Sequence, residues 1–267
     1  MSDDGDFIRI VSWFKRDHDR AMVALSGGVD SAIVALAAKQ ALGHNVLAVT
    51  ADYSTLSREE LRSADNIAKE IGINHITLKY NELENENFVR NDRLRCYHCR
   101  MELGSYLVSE AVRRNITLIV DGTNLDDLDD YRPGIRAMRS NGIRSPLVEL
   151  GIGKNKVRAM AKFHTLSIFE KPSNSCLASR IPTGITVTME RIRRVEMSEI
   201  IVKSIFPLEQ VRVRDHLDLA RIEVGSDEIQ LLFDKVKLDL LNSKLKGLGF
   251  RFVTIDLAGY HSSETLE

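Results

Sequence analysis

The sequence predicts an α/β protein built on a parallel sheet and followed by a smaller C-terminal α+β domain. Apolar, β-branched runs alternate with helical spacing through residues 21–120, the pattern of strand–helix–strand units. A glycine-bearing hexapeptide, Ser26-Gly27-Gly28-Val29-Asp30-Ser31, joins the first of these strands to an apolar helical run. Beyond residue 186 the order becomes β–α–β–β–α–β, which suggests a small unit of ferredoxin-like character. The expected domains are therefore residues 1–185 and 186–267.

Residues 21–25 read as a buried parallel strand, and residues 32–42 as a helix of strong helix formers. Residues 46–50 supply the next strand. Ser57 caps a helix that runs to residue 71, with Glu59 and Glu60 in the first turn, where carboxylates favour the helix dipole. A strand over 74–78 follows, then a helix or helix-containing loop over 82–92, a helix over 101–114 and a strand end at 118–120. Residues 121–133 hold five aspartates directly after that strand, where α/β folds place their ligands. Residues 146–153 form a connecting segment, residues 154–163 a helix, and residues 171–184 a loop rich in Pro, Ser and Asn. In the second domain, helices are expected over 190–206 and 230–246, and strands over 210–216, 219–224 and 250–257.

With 267 residues, 43% of them apolar and 28% charged, the chain has room for a substantial core and an ordinary globular composition. No apolar stretch approaches bilayer-spanning length, so membrane integration is not expected. The early Asp3, Asp4 and Asp6 do not suit a secretory signal, and a cytoplasmic location is the default expectation. A formal net charge of −1 argues against nucleic acid as a partner, although residues 90–100 and 191–194 are locally basic. The three cysteines comprise a close pair, Cys96-Tyr97-His98-Cys99, and the distant Cys176. That spacing favours thiol chemistry or metal ligation over structural disulfides.

The hexapeptide carries the strongest chemical signal. Its glycines permit a sharp turn that aims successive N–H groups and the helix N-terminus at one anion. Ser26 and Ser31 add hydroxyls, and Asp30 is a candidate partner for magnesium or a ribose. A Walker A loop needs a lysine before its Ser or Thr, and here Asp30 occupies that place. The hexapeptide resembles the pyrophosphate loop of the N-type ATP pyrophosphatases, the PP-loop enzymes, which activate substrates by adenylation. The resemblance implies ATP and Mg2+ as cofactors, with the loop cradling the departing pyrophosphate. Asp30, Asp126, Asp127 and Asp130 are candidate magnesium carboxylates. Gly122-Thr123-Asn124 is a second loop for ATP or substrate, with Gly122 and Thr123 closest to the nucleotide. Residues 50–53 are the expected adenine boundary, and Lys154 and Arg158 are candidates to neutralise phosphate charge.

Further motifs narrow the resemblance. Asp121-Gly122-Thr123-Asn124, Asp130-Tyr131-Arg132-Pro133-Gly134, Ser145-Pro146-Leu147 and Lys171-Pro172 precede Cys176-Leu177-Ala178-Ser179-Arg180-Ile181-Pro182 and Arg212-Val213-Arg214. In this order the chain resembles LarE-type sulfur transferases across nearly its whole length. That family makes the nickel-pincer nucleotide cofactor. The resemblance implies adenylation of a carboxylated pyridinium mononucleotide and its conversion to a thiocarboxylate. It implies a sulfide or upstream sulfur donor and cofactor-biosynthesis proteins as partners, and a homo-oligomer, hexamers included. The C-terminal domain is expected to bind substrate and to support oligomerisation.

Cys176 matches the family's sulfur-bearing cysteine, and Asp30 and Cys176 are the expected catalytic residues. In the single-cysteine mechanism Cys176 gives up its own sulfur and becomes dehydroalanine. The additional Cys96 and Cys99 match instead the cluster-dependent branch, in which three cysteines hold a [4Fe–4S] cluster whose open iron binds the transferred sulfide. A Cys3His zinc site using His98 and a reversible Cys96–Cys99 redox pair are the other readings of these thiols. Arg212 and Arg214 share one side of a strand and match the family's phosphate-contacting arginines, with Ser179 and Arg180 beside them. Glu199 and Glu223 are weaker candidates for metal or nucleotide contacts. Thiolation of tRNA and a non-enzymatic ATP-binding scaffold for cofactor assembly are the alternative functions.

Overall fold

In the computed structural model, which describes residues 3–16, 18–128, 133–172 and 174–260, contacts group the chain into two units. One comprises Met1–Phe88 with Arg93–Asn174, the other Val89–Asp92 with Ser175–Glu267. Segment 175–185, with Cys176, thus groups with the C-terminal residues.

The first unit runs α1 (Asp3–Lys15), β1 (Ala21–Ala24), α2 (Val29–Leu42), β2 (Val46–Asp52), α3 (Arg58–Ile71), β3 (Asn74–Lys79), α4 (Glu86–Val89, at the divide), α5 (Arg95–Arg113), β4 (Leu118–Val120), α6 (Pro133–Ser140), α7 (Pro146–Glu149) and α8 (Lys154–Phe163). Its sheet has the order β3-β2-β1-β4, and every pairing is parallel. Both faces are apolar. Ala21 and Val23 pack into one core with Phe7, Ile10 and Phe14 of α1, Ile33 of α2 and Met160 of α8. Met22, pointing the opposite way, joins Leu103 and Leu107 of α5 and Met138 of α6 in the other. Burial on both faces is why these strands read as continuous apolar runs.

Helix α1 is an element that the sequence reading passed over in favour of its acidic start. Phe7, Ile10, Val11 and Phe14 repeat at helical spacing and are buried, seating α1 against α2 and α8. Ser57 caps α3 as expected, its Oγ accepting from Glu60 N at 3.2 Å. Among the described residues no helix is long and apolar enough to cross a membrane.

The second unit contains α9 (Met189–Ile205), β5 (Val211–His216), β6 (Leu219–Val224), α10 (Lys235–Gly247) and β7 (Phe252–Ile255). Its sheet, β5-β6-β7, is mixed: β5 and β6 are antiparallel, β6 and β7 parallel. A ferredoxin-like unit needs a further strand before α9, and among the described residues there is none. Residues 184–187 bond instead to the inserted segment 89–92, Gly184 N to Asn91 O at 2.9 Å and Val187 N to Val89 O at 3.0 Å. The helix expected over 230–246 is broken at Asp234, whose side chain caps α10 by accepting from Lys237 N at 3.1 Å.

Strand alternation divides this sheet by chemistry. Val211, Val213, Ala220, Ile222 and Val224 form its core with Leu241 and Leu245 of α10. On the opposite face Arg212 pairs in register with Glu223, and Arg214 with Arg221. At the end of β5, Asp215 is fully buried and accepts from Arg191 at 3.0 Å and Arg194 at 2.6 Å, bolting α9 to the sheet.

Candidate active site

Strand order places the site. The chain leaves β1 for β2 and β3 on one side, then crosses back to β4 on the other, so the switch point lies between β1 and β4. Loops after those two strands border a crevice, the usual ligand position in open parallel sheets. Here they are residues 25–28 and 121–124.

Gly27 has φ +78°, a conformation open to glycine, and a Cβ there would stand 2.8 Å from Ala64 N and Glu60 O. Gly28 precedes α2 and supplies no side-chain cap, leaving the first N–H groups of α2 directed at the crevice. Ser31 Oγ accepts from Ser26 N at 3.2 Å, donates to Gly28 O at 3.0 Å and lies 3.1 Å from Ser26 Oγ. The hydroxyls therefore brace the turn that exposes its N–H groups. Val29 is buried and anchors the helix start.

The second loop closes on the first. A Cβ on Gly122 would fall 2.5 Å from Ser31 N, so glycine alone allows this approach. Asp121 Oδ1 accepts from Thr123 N at 3.0 Å and from Ser145 Oγ at 2.8 Å, and its burial raises its pKa above the usual carboxylate range. Asn124 Nδ2 donates to Asp30 Oδ1 at 3.3 Å. Lys154 at the start of α8 forms an ion pair with the other Asp30 oxygen. Burial nonetheless pushes the Asp30 pKa up, against the lowering influence of Lys154. Asp126 Oδ2 accepts from Lys154 N at 2.8 Å, and Asp127 Oδ2 from Asn124 N at 3.0 Å. Asp30 and Asp126 are thus both bonded to Lys154, and Asp127 braces the loop between them; Asp130 lies outside the described residues. Among the described residues, no three His, Cys, Asp or Glu side chains gather as a metal-holding group. Magnesium on a nucleotide takes one or two carboxylates beside phosphate and water oxygens.

At the end of β2, Thr50 Oγ1 donates to Leu25 O at 2.7 Å, fixing the chain just before the phosphate loop. His75 Nε2 lies 2.8 Å from the same hydroxyl. Thr50 has spent its proton on Leu25, so His75 is the donor in that contact. Burial lowers the His75 pKa.

The helix expected over 101–114 begins earlier and includes the cysteine pair. Helix α5 begins at Arg95 and takes in both Cys96 and Cys99, which lie one turn apart on one side of its N-terminus. Cys96 is exposed and Cys99 buried, and none of the three cysteines is in a disulfide.

In the second unit Cys176 precedes a short 3-10 turn, Leu177–Arg180, and is partly exposed. Arg180 is 1% exposed and organises this loop. Its Nη1 donates to Ser175 O at 2.6 Å, Cys176 O at 3.0 Å and Ser179 Oγ at 3.0 Å, while Nε reaches Glu199 Oε1 at 2.8 Å. Glu199 also accepts from Val213 N at 3.2 Å, tying the loop to β5. Arg214 Nη1 donates to Ser179 O at 2.8 Å, and its Nη2 to Glu223 Oε2 at 2.8 Å. Arg221, which the sequence reading missed, donates to the other Glu223 oxygen at 2.8 Å. Burial, reinforced by the Arg180 charge, pushes the Arg212 pKa down. Thus Cys176, Ser179, Arg180, Glu199, Arg212, Arg214 and Glu223 share one neighbourhood. Glu199 and Glu223 serve there as arginine partners.

An all-parallel sheet with an uncapped, glycine-turned helix start at its switch point defines a nucleotide-handling α/β protein. The family model described as queuosine biosynthesis protein QueC matches residues 20–95, from β1 to the start of α5. An uncharacterized protein of Synechocystis sp. is 43% identical over 246 residues, covering 92% of this chain and 91% of its own. The pyridinium-3,5-bisthiocarboxylic acid mononucleotide synthase of Lactiplantibacillus plantarum is 36% identical over 251 residues, covering 92% of this chain and 89% of that protein. An uncharacterized protein of Methanocaldococcus jannaschii is 29% identical over 248 residues, 93% of each chain. The chain belongs to the PP-loop, or N-type ATP pyrophosphatase, superfamily, among proteins related to QueC and LarE, whose general chemistry is ATP-dependent sulfur or amide transfer.

Proposed function

We propose that this protein adenylates a carboxylate of a pyridinium mononucleotide and replaces its oxygen with sulfur, the product class named for its Lactiplantibacillus plantarum relative. The observation that carries the reading is one chain holding both an open phosphate loop and a free thiol, Cys176, on an arginine-organised loop. A substrate carboxylate oxygen attacks the α-phosphorus of ATP, and pyrophosphate leaves against the N–H groups around Gly28. Asp30, with Asp126 or Asp127, would hold Mg2+, and Lys154 would offset phosphate charge. A sulfur nucleophile then adds to the acyl carbon and AMP departs, leaving a thiocarboxylate. Arg212 and Arg214 hold the substrate phosphate, and an anion there would offset the burial of the Arg212 charge.

The donor set suits an iron–sulfur cluster: three cysteines outside any disulfide, two of them one helical turn apart. Cys96, Cys99 and Cys176 would hold it, and when bound a [4Fe–4S] cluster supplies the sulfur to be transferred. Placement in nickel-pincer nucleotide biosynthesis is part of this proposal and follows from the resemblance to LarE-type sulfur transferases. The test measures pyrophosphate and thiocarboxylate separately, with anaerobic protein, ATP, Mg2+, sulfide and the carboxylated pyridinium mononucleotide. Wild type should release both. Cys176→Ala should keep pyrophosphate release within about threefold and lose thiocarboxylate by about 100-fold or more. Pyrophosphate release that depends on tRNA and ignores the mononucleotide would overturn the substrate.

A further inference from the structure

The back of the phosphate loop is gripped by a lysine that the proposed chemistry does not use. Lys171 Nζ donates to Gly27 O at 3.1 Å, to Ser63 Oγ at 2.8 Å and to Glu60 Oε2 at 2.9 Å. These bonds account for all three ammonium donors. Ser63 Oγ passes its own proton to the same Gly27 carbonyl at 3.0 Å. Glu60 is held from its other oxygen by Asn174 Nδ2 at 3.0 Å. Both ionic groups are largely enclosed, Lys171 at 19% and Glu60 at 10% side-chain exposure. Lys171 is therefore committed to the protein rather than offered to a phosphate.

Its consequence lies one atom further along the chain. In a trans peptide the carbonyl of one residue and the N–H of the next point in opposite directions. Drawing Gly27 O toward Ser63 and Lys171 turns Gly28 N–H to the concave side of the loop. There it donates to Ser26 Oγ at 3.4 Å, a long bond that an arriving phosphate oxygen would replace. Gly27 takes its φ of +78° without a Cβ penalty, and the 27–28 peptide plane turns about ψ of Gly27 and φ of Gly28, so bonds to the Gly27 carbonyl fix the direction of Gly28 N–H. The lysine bond is charge-assisted and is the stronger of the two holding it. We propose that Lys171 is a positioning residue that holds the Gly27–Gly28 peptide so that Gly28 N–H faces the pyrophosphate. The proposal rests on the phosphate-loop reading above.

Calorimetric titration of the full chain with magnesium pyrophosphate, ATP and AMP tests it. Lys171→Met should weaken pyrophosphate and ATP by about tenfold or more, and AMP, which lacks the departing group, by less than about twofold. Lys171→Arg, still cationic, should recover part of the loss. Ser63→Ala removes the neutral donor and spares the lysine; it should show the same selective pattern at smaller size, and serves if Lys171→Met does not fold. Unchanged pyrophosphate affinity, or equal losses for pyrophosphate and AMP, would overturn the positioning role. A wild-type protein that binds AMP but ignores pyrophosphate would overturn the phosphate-loop reading itself, and this role with it.

Discussion

Gly122 and Asp121 show how little at the nucleotide crevice depends on side-chain reach and how much on backbone approach. The Gly122 Cα faces the backbone of Ser31, and a methyl group there would fall 2.5 Å from Ser31 N. Gly122→Ala should separate the β4 loop from the start of α2 and reduce substrate-dependent pyrophosphate release by about 100-fold, the order expected for a misplacement near 1 Å. Release within twofold of wild type, in a variant of native stability, would show that the two loops need not touch. Asp121 makes a different point. The bonds from Thr123 N and Ser145 both go to Oδ1, so Asp121→Asn keeps them; it removes a charge that burial disfavours, along with a smaller attraction to Arg100. A carboxyl with a raised folded pKa binds protons more tightly when folded, so its destabilisation sets in as pH rises from the ordinary Asp pKa through the raised one. Asp121→Asn should therefore melt higher than wild type at pH 7, and the advantage should vanish at pH 3. A lower melting temperature at pH 7 would mean that the charge itself is needed.

Among the elements, the turn Leu177–Arg180 and helix α5 carry the thiols, and each depends on a feature outside itself. The turn hangs on buried Arg180, whose guanidinium satisfies Ser175 and Cys176 carbonyls and the half-buried Glu199 carboxylate. Arg180→Met leaves the half-buried Glu199 with only Val213 N as its donor among the described residues and should cost about 3 kcal/mol, read by chemical denaturation. Adding Glu199→Met should restore much of it; a double variant as unstable as the single would place the cost elsewhere. Sequence reasoning identified Arg180 beside Cys176 but assigned it to substrate. Its burial depends on Glu199, nineteen positions away on α9, and side-chain pattern alone does not reveal such a partner. The sequence predicts this helix only over 101–114, which leaves Cys96 and Cys99 before its start. Packing of α5 against α6 and the sheet extends the helix back to Arg95.

For the whole molecule the open question is where the transferred sulfur comes from, and all three cysteines answer it together. Iron and acid-labile sulfide should be retained after anaerobic purification and fall in each of Cys96→Ala, Cys99→Ala and Cys176→Ala. With sulfide supplied, more than one thiocarboxylate should form per protomer, at unchanged intact mass. A single turnover with Cys176 converted to dehydroalanine, and with Cys96→Ala and Cys99→Ala still competent, would establish the sacrificial route.

Local chemistry alone determined the parallel-sheet architecture, the phosphate loop and most element positions, because continuous apolar runs, glycine turns and caps act over a few residues. The helical role of the N-terminal segment also lay in its Phe7, Ile10, Val11 and Phe14 spacing, behind an acidic start. Only tertiary structure decided that the C-terminal sheet has three strands among the described residues, with segment 89–92 holding the place beside 184–187. It also decided that Glu60, Ser63 and Lys171 meet behind Gly27. Those contacts join groups up to 144 positions apart. Their energy comes from burial and closed hydrogen bonding, which exist only once the chain has brought them together.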